Sequence, residues 1–211
     1  MTSTRQVTTS PETKLAIVDT PNALDAFLQP QCAAAIWRRQ TPPGIQAWLD
    51  GLDPMFLPRG RVIQRPEALS ETVADLCNMS CLPSGPEREW LTSNIATLTA
   101  VFAKLISPRF LRLRLDVLST NACSKFHIDA ITARLICTYR GTGTQYGFST
   151  EGAEPSRVFT VQTGAPMFLR GTLWQAQPPC GLLHRSPQIE GTGETRLVLV
   201  LDPVTDPDDD I

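Results

Sequence analysis

Leu111-Arg112-Leu113-Arg114-Leu115-Asp116-Val117 alternates apolar and charged residues without a break. Successive side chains of a strand point to opposite faces, so this stretch reads as a half-buried β-strand. Upstream the period is helical. Residues 66–79 place Leu69, Val73, Leu76 and Cys77 at helical spacing, and residues 87–106 carry Trp90, Leu91, Ile95, Leu98, Val101, Phe102 and Leu105 on one stripe. Pro86, Glu87 and Glu89 suit the start of that longer helix, and Ser107-Pro108 its end. Nearer the N-terminus, Asp19-Thr20-Pro21-Asn22 offers caps for a helix over 23–28. A second helical piece is expected over 32–39 and a short helix begins at Trp48. The apolar run Leu15-Ala16-Ile17-Val18 reads as an edge strand or as packing over the core.

Downstream of Leu111 the chain stays in the strand period. Short strands are expected at 126–129, 134–139, 157–161, 166–170, 182–185 and 195–202, with Gly, Pro or polar residues between them. Many short strands with turns between them fit a sandwich or jelly roll. The expected fold is α+β: a C-terminal antiparallel double-stranded β-helix, or jelly roll, with an N-terminal helical cap. On this reading 1–108 is a helical region packed on the core, 109–203 is the jelly-roll core, and 204–211 is an acidic tail.

With 211 residues, the chain is the size of one domain. Its net charge of −2 gives no bulk attraction for nucleic acid or an anionic membrane. No apolar segment is long enough to span a bilayer. Met1-Thr2-Ser3-Thr4-Arg5-Gln6-Val7 lacks the apolar core of a signal peptide, so a cytoplasmic location is expected. On that basis the six cysteines (Cys32, Cys77, Cys81, Cys123, Cys137 and Cys180) are read as reduced thiols. Cys77 and Cys81 share one side of a helix and are expected to pack.

Chemistry concentrates in Cys123-Ser124-Lys125-Phe126-His127-Ile128-Asp129 and in His184, the second of only two histidines. His-x-Asp with a distant His is the pattern of two imidazoles and one carboxylate on one face of Fe(II), with other positions left open. On a strand, His127 and Asp129 share a face. Cys123 has the same parity, and its thiolate would close a tetrahedral Zn²⁺ site instead. That alternative is a zinc-binding protein using the same cage without oxygenase activity. Arg196 follows on a later strand, and a guanidinium pairs well with a carboxylate.

With those residues placed on successive strands, residues 109–203 resemble the iron- and 2-oxoglutarate-dependent dioxygenase superfamily. The resemblance implies that His127, Asp129 and His184 hold Fe(II), and that Arg196 clamps the far carboxylate of 2-oxoglutarate as small-molecule co-substrate. It also implies oxidative decarboxylation of 2-oxoglutarate coupled to hydroxylation of a second substrate. Gly164-Ala165-Pro166-Met167-Phe168-Leu169-Arg170-Gly171 looks like the strand and turn that precede the distal histidine in that superfamily. Tyr139 and Thr138 are candidates for a hydrogen bond to the co-substrate. Where many members carry serine or threonine two residues after the clamp, this chain has Val198, and Arg185 is an alternative clamp. Arg114, Arg134 and Arg140 are further arginines at the expected barrel mouth. The chain is also similar to an uncharacterised bacterial family of unknown function, which implies no activity.

Overall fold

The computed structural model describes residues 15–149, 153–175 and 181–208. In chain order the strands are β1 (Leu15–Val18), β2 (Ala34–Trp37), β3 (Gly60–Gln64), β4 (Phe110–Leu118), β5 (Ala133–Arg140), β6 (Gln145–Phe148), β7 (Val158–Thr160), β8 (Pro166–Arg170), β9 (Leu182–Arg185) and β10 (Arg196–Val204). Three α-helices interleave with the first four: α1 (Pro43–Gly51), α2 (Leu69–Met79) and α3 (Pro86–Ile106). A large sheet runs β1-β2-β8-β5-β10-β4-β3, and a small one runs β7-β6-β9. The β1–β2 pair is parallel; every other pair is antiparallel.

The central strand β10 explains why the large sheet has two cores. Leu197, Leu199 and Leu201 face the helices, where they join Leu91, Ile95, Leu98 and Phe102 of α3 and Leu111, Leu113 and Leu115 of β4. Val198 and Val200 face the small sheet and meet Ile136, Tyr146 and Leu182. A strand buried on both faces loses its polar alternation, so 197–201 reads as one apolar run. Each fully buried leucine contributes about 1.5–3 kcal/mol relative to exposure. On β4 the alternation survives because its second face carries Arg112, Arg114 and Asp116. α3 stops at Ser107, whose φ of 50° is left-handed and whose N–H reaches the Ala103 carbonyl at 2.8 Å.

The first 108 residues are not a purely helical cap. They supply β1, β2 and β3 to the large sheet, while the helices cover one of its faces. The helical expectation over 32–39 is wrong at Ala34–Trp37, which is a strand between β1 and β8. Its run Ala34-Ala35-Ile36 is buried throughout, and so short an apolar run carries no period to separate strand from helix. The helix expected over 23–28 is a 3₁₀ segment, Pro21–Leu28. β3 and β6 had no sequence signal: Gly60-Arg61-Val62-Ile63-Gln64 has two apolar residues and Gln145-Tyr146-Gly147-Phe148 a glycine at its middle. Strand β10 continues to Val204, and only then does the acidic tail begin. Cys180, residues 1–14 and residues 209–211 lie outside the described residues. The five described cysteines are free thiols. Among the described residues, no helix is long and apolar enough to cross a membrane.

Candidate metal centre

His127 reaches its place through a two-residue bridge, not through a regular strand. Its N–H donates to the His184 carbonyl at 3.0 Å, and the His184 N–H returns the bond at 3.1 Å. Directly opposed residues of an antiparallel pair present their side chains on one side. The two imidazoles therefore stand side by side, with ring centroids 4.6 Å apart. The Ser186 N–H, which donates to the Cys123 carbonyl at 2.9 Å, extends the same pairing beyond the end of β9.

Asp129 is in a loop, so the expected strand over 126–129 is reduced to the single bridge at His127. What fixes the loop is the segment after β8. The N–H groups of Gly171, Thr172 and Leu173 donate to the carbonyls of Thr132, Asp129 and Ile131 at 3.0, 2.9 and 3.0 Å. Gly171 permits this close approach: a Cβ there would lie 2.0 Å from the Ile131 oxygen and 2.7 Å from the Asp129 oxygen.

The result is a cluster of three donors. One ligand atom from each of His127, Asp129 and His184 lies within 4.8 Å of the other two. His127 Nε2 is 3.5 Å from Asp129 Oδ1, and His184 Nε2 is 3.1 Å from Asp129 Oδ2. Ligands about 2.1 Å from a metal and at right angles to each other are about 3 Å apart, close to these separations. His127 Nδ1 lies 2.8 Å from the Lys125 carbonyl, which can only accept, so in the neutral ring Nε2 is bare and faces Asp129. Asp129 Oδ2 is buried and, apart from the His184 ring 3.1 Å away, has no hydrogen-bond partner among the described residues. A buried carboxylate oxygen set against the His184 imidazole, with the His127 ring beside the other oxygen, fits a cation.

The electrostatics agree with that fit. Burial pushes the Asp129 carboxyl up, but His184, Arg134 and His127 together pull it down further, to about 2. Burial holds His184 below its usual value, outweighing the upward pull of Asp129. At neutral pH the site therefore offers an ionised carboxylate and a neutral buried imidazole.

The cluster opens onto a cavity of about 530 Å³, counting its open mouth, between the two sheets. His127 and His184 line it together with Arg114, Arg134, Arg185 and Arg196. Arg196 is 2% exposed; its Nε donates to the Thr142 carbonyl at 2.6 Å and its Nη2 to Thr138 Oγ1 at 3.3 Å. Among the described residues no carboxylate pairs with it. Burial lowers its pKa to about 10, with nearby Glu194 only partly offsetting it, so the guanidinium that lines the cavity stays charged at neutral pH. Glu194 is turned instead to Thr142, accepting from its N–H and its hydroxyl.

Other sequence candidates fall elsewhere. Tyr139 is fully buried on the helical side of β5: its hydroxyl donates to Asn94 Oδ1 at 2.8 Å and its ring meets Trp90 edge-on. The reason is parity, since Arg134 and Ile136 take the cavity side. Arg140 also leaves the mouth, because the β5–β10 register shifts opposite Leu197/Val198; its Nη1 donates to the Leu52 carbonyl. Arg185 lies at the cavity edge, stacked on Phe126 and donating to Gln145 Oε1. Cys123 is exposed and lines the cavity, but is not part of the three-donor cluster. What the sequence did not mark is Arg134 as the partner of Asp129 and Gly171 as its support. Arg134 was marked only as one of several arginines at the expected barrel mouth.

A family model described as a protein of unknown function, DUF1826, matches residues 18–202. The chain belongs to this family. No curated protein sequence matches this DUF1826 chain. Among solved structures it is similar to dioxygenase for auxin oxidation 1 from Arabidopsis thaliana, in a complex with 2-oxoglutarate. Identity is 10%, the match covers 92% of this chain and 94% of that one, and the TM-score is 0.54. It is also similar to a dioxygenase for auxin oxidation from rice, at 13% identity, 90% and 78% coverage and a TM-score of 0.48. A prolyl-4-hydroxylase from Pseudomonas putida aligns at 11% identity, 88% and 98% coverage and a TM-score of 0.44. At 10% identity and a TM-score of 0.54, the likeness to dioxygenase for auxin oxidation 1 speaks to a shared fold.

Proposed function

We propose that this DUF1826 protein is a non-haem Fe(II)-dependent oxygenase that uses 2-oxoglutarate to hydroxylate a second substrate. The observation that carries the reading is that the His127 and His184 rings of the three-donor cluster line the same cavity as the guanidinium of Arg196, which among the described residues has no carboxylate within ion-pair distance. Two imidazoles and a carboxylate suit Fe(II) and leave open positions for further ligands. Fe(II) held there would supply oxygen activation coupled to decarboxylation of the oxo-acid.

The protein's own residues do the holding. The Lys125 carbonyl fixes the His127 ring, and the segment from Gly171 to Leu173 fixes the backbone around Asp129. Arg196 binds the far carboxylate of 2-oxoglutarate through donors not engaged by Thr138 and Thr142, in a buried setting that strengthens the charge-assisted bond. Val198 and Val200 beside it keep water from the co-substrate chain. The alternative, Zn²⁺ in the same cage, gains no fourth ligand from Cys123, which stays outside the cluster.

Anaerobic addition of Fe(II) and then 2-oxoglutarate tests the reading. A visible metal-to-ligand charge-transfer band is expected in the wild type, absent in His184→Ala, and needing far more 2-oxoglutarate in Arg196→Met. A wild type that binds Fe(II) but develops no band would overturn the oxygenase assignment.

A further inference from the structure

Arg114 stands on the cavity side of β4 with less satisfaction than its neighbours. Its Nε is buried without a hydrogen-bond partner. Its two nearest carboxylates are 3.7 Å away at Asp116 and 3.8 Å away at Asp202, beyond hydrogen-bond reach. Asp202 is already taken: Arg134 Nε and Nη2 grip its two oxygens at 2.6 and 2.8 Å. The side chain of Arg114 is 29% exposed and lines the same cavity as His127, His184 and Arg196. A guanidinium has five donors arranged to grip an oxyanion, and here none makes a hydrogen bond to the described residues.

Its place relative to Arg196 is set by register. On β10, Arg196 pairs with Leu118 and Val200 with Arg114. The two arginine positions are thus four residues apart along the sheet, about 13 Å at ~3.3 Å per residue. One cavity floor carries a cation at each end. Arg134 in the lining is already paired with Asp129 and Asp202, but Arg114, Arg185 and Arg196 still face a single lining acid, Asp116, so the space favours anions.

We propose that Arg114 is the anchor for an oxyanion group, carboxylate or phosphate, on the substrate that is oxidised, with Asp116 as the competing acid that the substrate displaces. This rests on the reading that Arg196 is occupied by 2-oxoglutarate. The substrate class is therefore a small anionic molecule whose charged end lies at the Arg114 end of the cavity.

The test loads the protein anaerobically with Mn(II) and saturating 2-oxoglutarate, then titrates acetate and inorganic phosphate. Paramagnetic relaxation of the acetate protons or the phosphate phosphorus reports an anion held near the metal. Saturable relaxation of at least one probe is expected. Arg114→Gln should weaken it fivefold or more, Arg109→Gln, which lies over Phe110 outside the cavity lining, should leave it, and Asp116→Asn should tighten it. The stronger probe tells carboxylate from phosphate. No saturable effect with either probe, or an undiminished one in Arg114→Gln, overturns the proposal. Failure of the wild type to take up Mn(II) overturns the metal reading instead, and the same titrations followed by calorimetry still decide the role of Arg114.

Discussion

Arg134 Nη1 lies 2.7 Å from Asp129 Oδ1, while Nε and Nη2 of the same guanidinium hold Asp202. One oxygen of the proposed ligand is thereby occupied by a cation. The other, Oδ2, is left facing His184. The arrangement orients the carboxylate so that it offers one oxygen to a metal, keeping further positions free. Asp202, almost fully buried on β10, locks the arginine in turn.

It follows that Arg134→Met should weaken Mn(II) binding about 10- to 100-fold, the usual cost of removing a group that orients a ligand. The loss also leaves Asp202 buried without its bidentate partner, which destabilises the fold by about 3–5 kcal/mol. Arg134→Lys should restore part of the affinity, since it keeps the charge but not the fork. Calorimetric titration with Mn(II), alongside urea unfolding of the metal-free protein, separates the two effects. Equal Mn(II) affinity in wild type and Arg134→Met would show that Asp129 needs no such support.

Gly171→Ala addresses the same carboxylate from the backbone side. The added Cβ meets the Ile131 and Asp129 oxygens, both backbone atoms that cannot swing aside. The loop must shift or the hydrogen bonds from Gly171, Thr172 and Leu173 must lengthen. We expect destabilisation of about 1–3 kcal/mol, typical of overpacking, together with weaker metal uptake. Thermal unfolding with and without Mn(II) checks this: the stabilisation that Mn(II) gives should shrink in the variant. An unchanged increment would mean that the loop tolerates the displacement.

How much of this was readable from the chain varies with the kind of signal. The alternation of 111–117 and the stripe over 87–106 are long, and both elements appear close to their expected limits as β4 and α3. His127, Asp129 and His184 were legible because the chain has only two histidines and one lies in a His-x-Asp. Their convergence is a matter of the bridge between His127 and His184, which no local pattern encodes. β2 was missed because its burial on both faces erased any period, and β3 and β6 because short strands held by their neighbours need little propensity of their own. Arg134 was visible only as one of several arginines; its pairing depends on Asp129 and Asp202 meeting from distant parts of the chain.

Tyr139 separates the two faces of β5 experimentally. Its hydroxyl bonds Asn94 in the helical core, and Asn94 Oδ1 also accepts from Arg39 Nη2 at 2.8 Å. Tyr139→Phe therefore removes one hydrogen bond without orphaning its acceptor, a loss of about 0.5–1.5 kcal/mol in stability. Because the ring does not line the cavity, 2-oxoglutarate affinity should match that of wild type. Thr138→Val, on the cavity side, should instead lower it by loosening Arg196. The reverse pattern in anaerobic 2-oxoglutarate titrations would mean that the β5 side chains are turned the other way.

The cysteines give a test that needs no metal. Burial pushes the Cys137 thiol up to about 11, with Arg39 nearby only partly offsetting it. Cys77 is likewise raised by burial, while Cys81 and Cys123 are exposed. Alkylation of the native protein at pH 8 should label Cys81 and Cys123 and spare Cys32, Cys77 and Cys137, as read by peptide mass mapping. The raised Cys137 value also fixes a direction for stability. Between its ordinary 9.0 and about 11, the unfolded chain loses the proton while the folded one keeps it. Its contribution, of order 2–3 kcal/mol, is thus fully present below pH 9 and is lost as pH rises toward 11. Cys137→Ser should flatten that alkaline decline in urea midpoints; a decline as steep as that of the wild type would assign it to other groups.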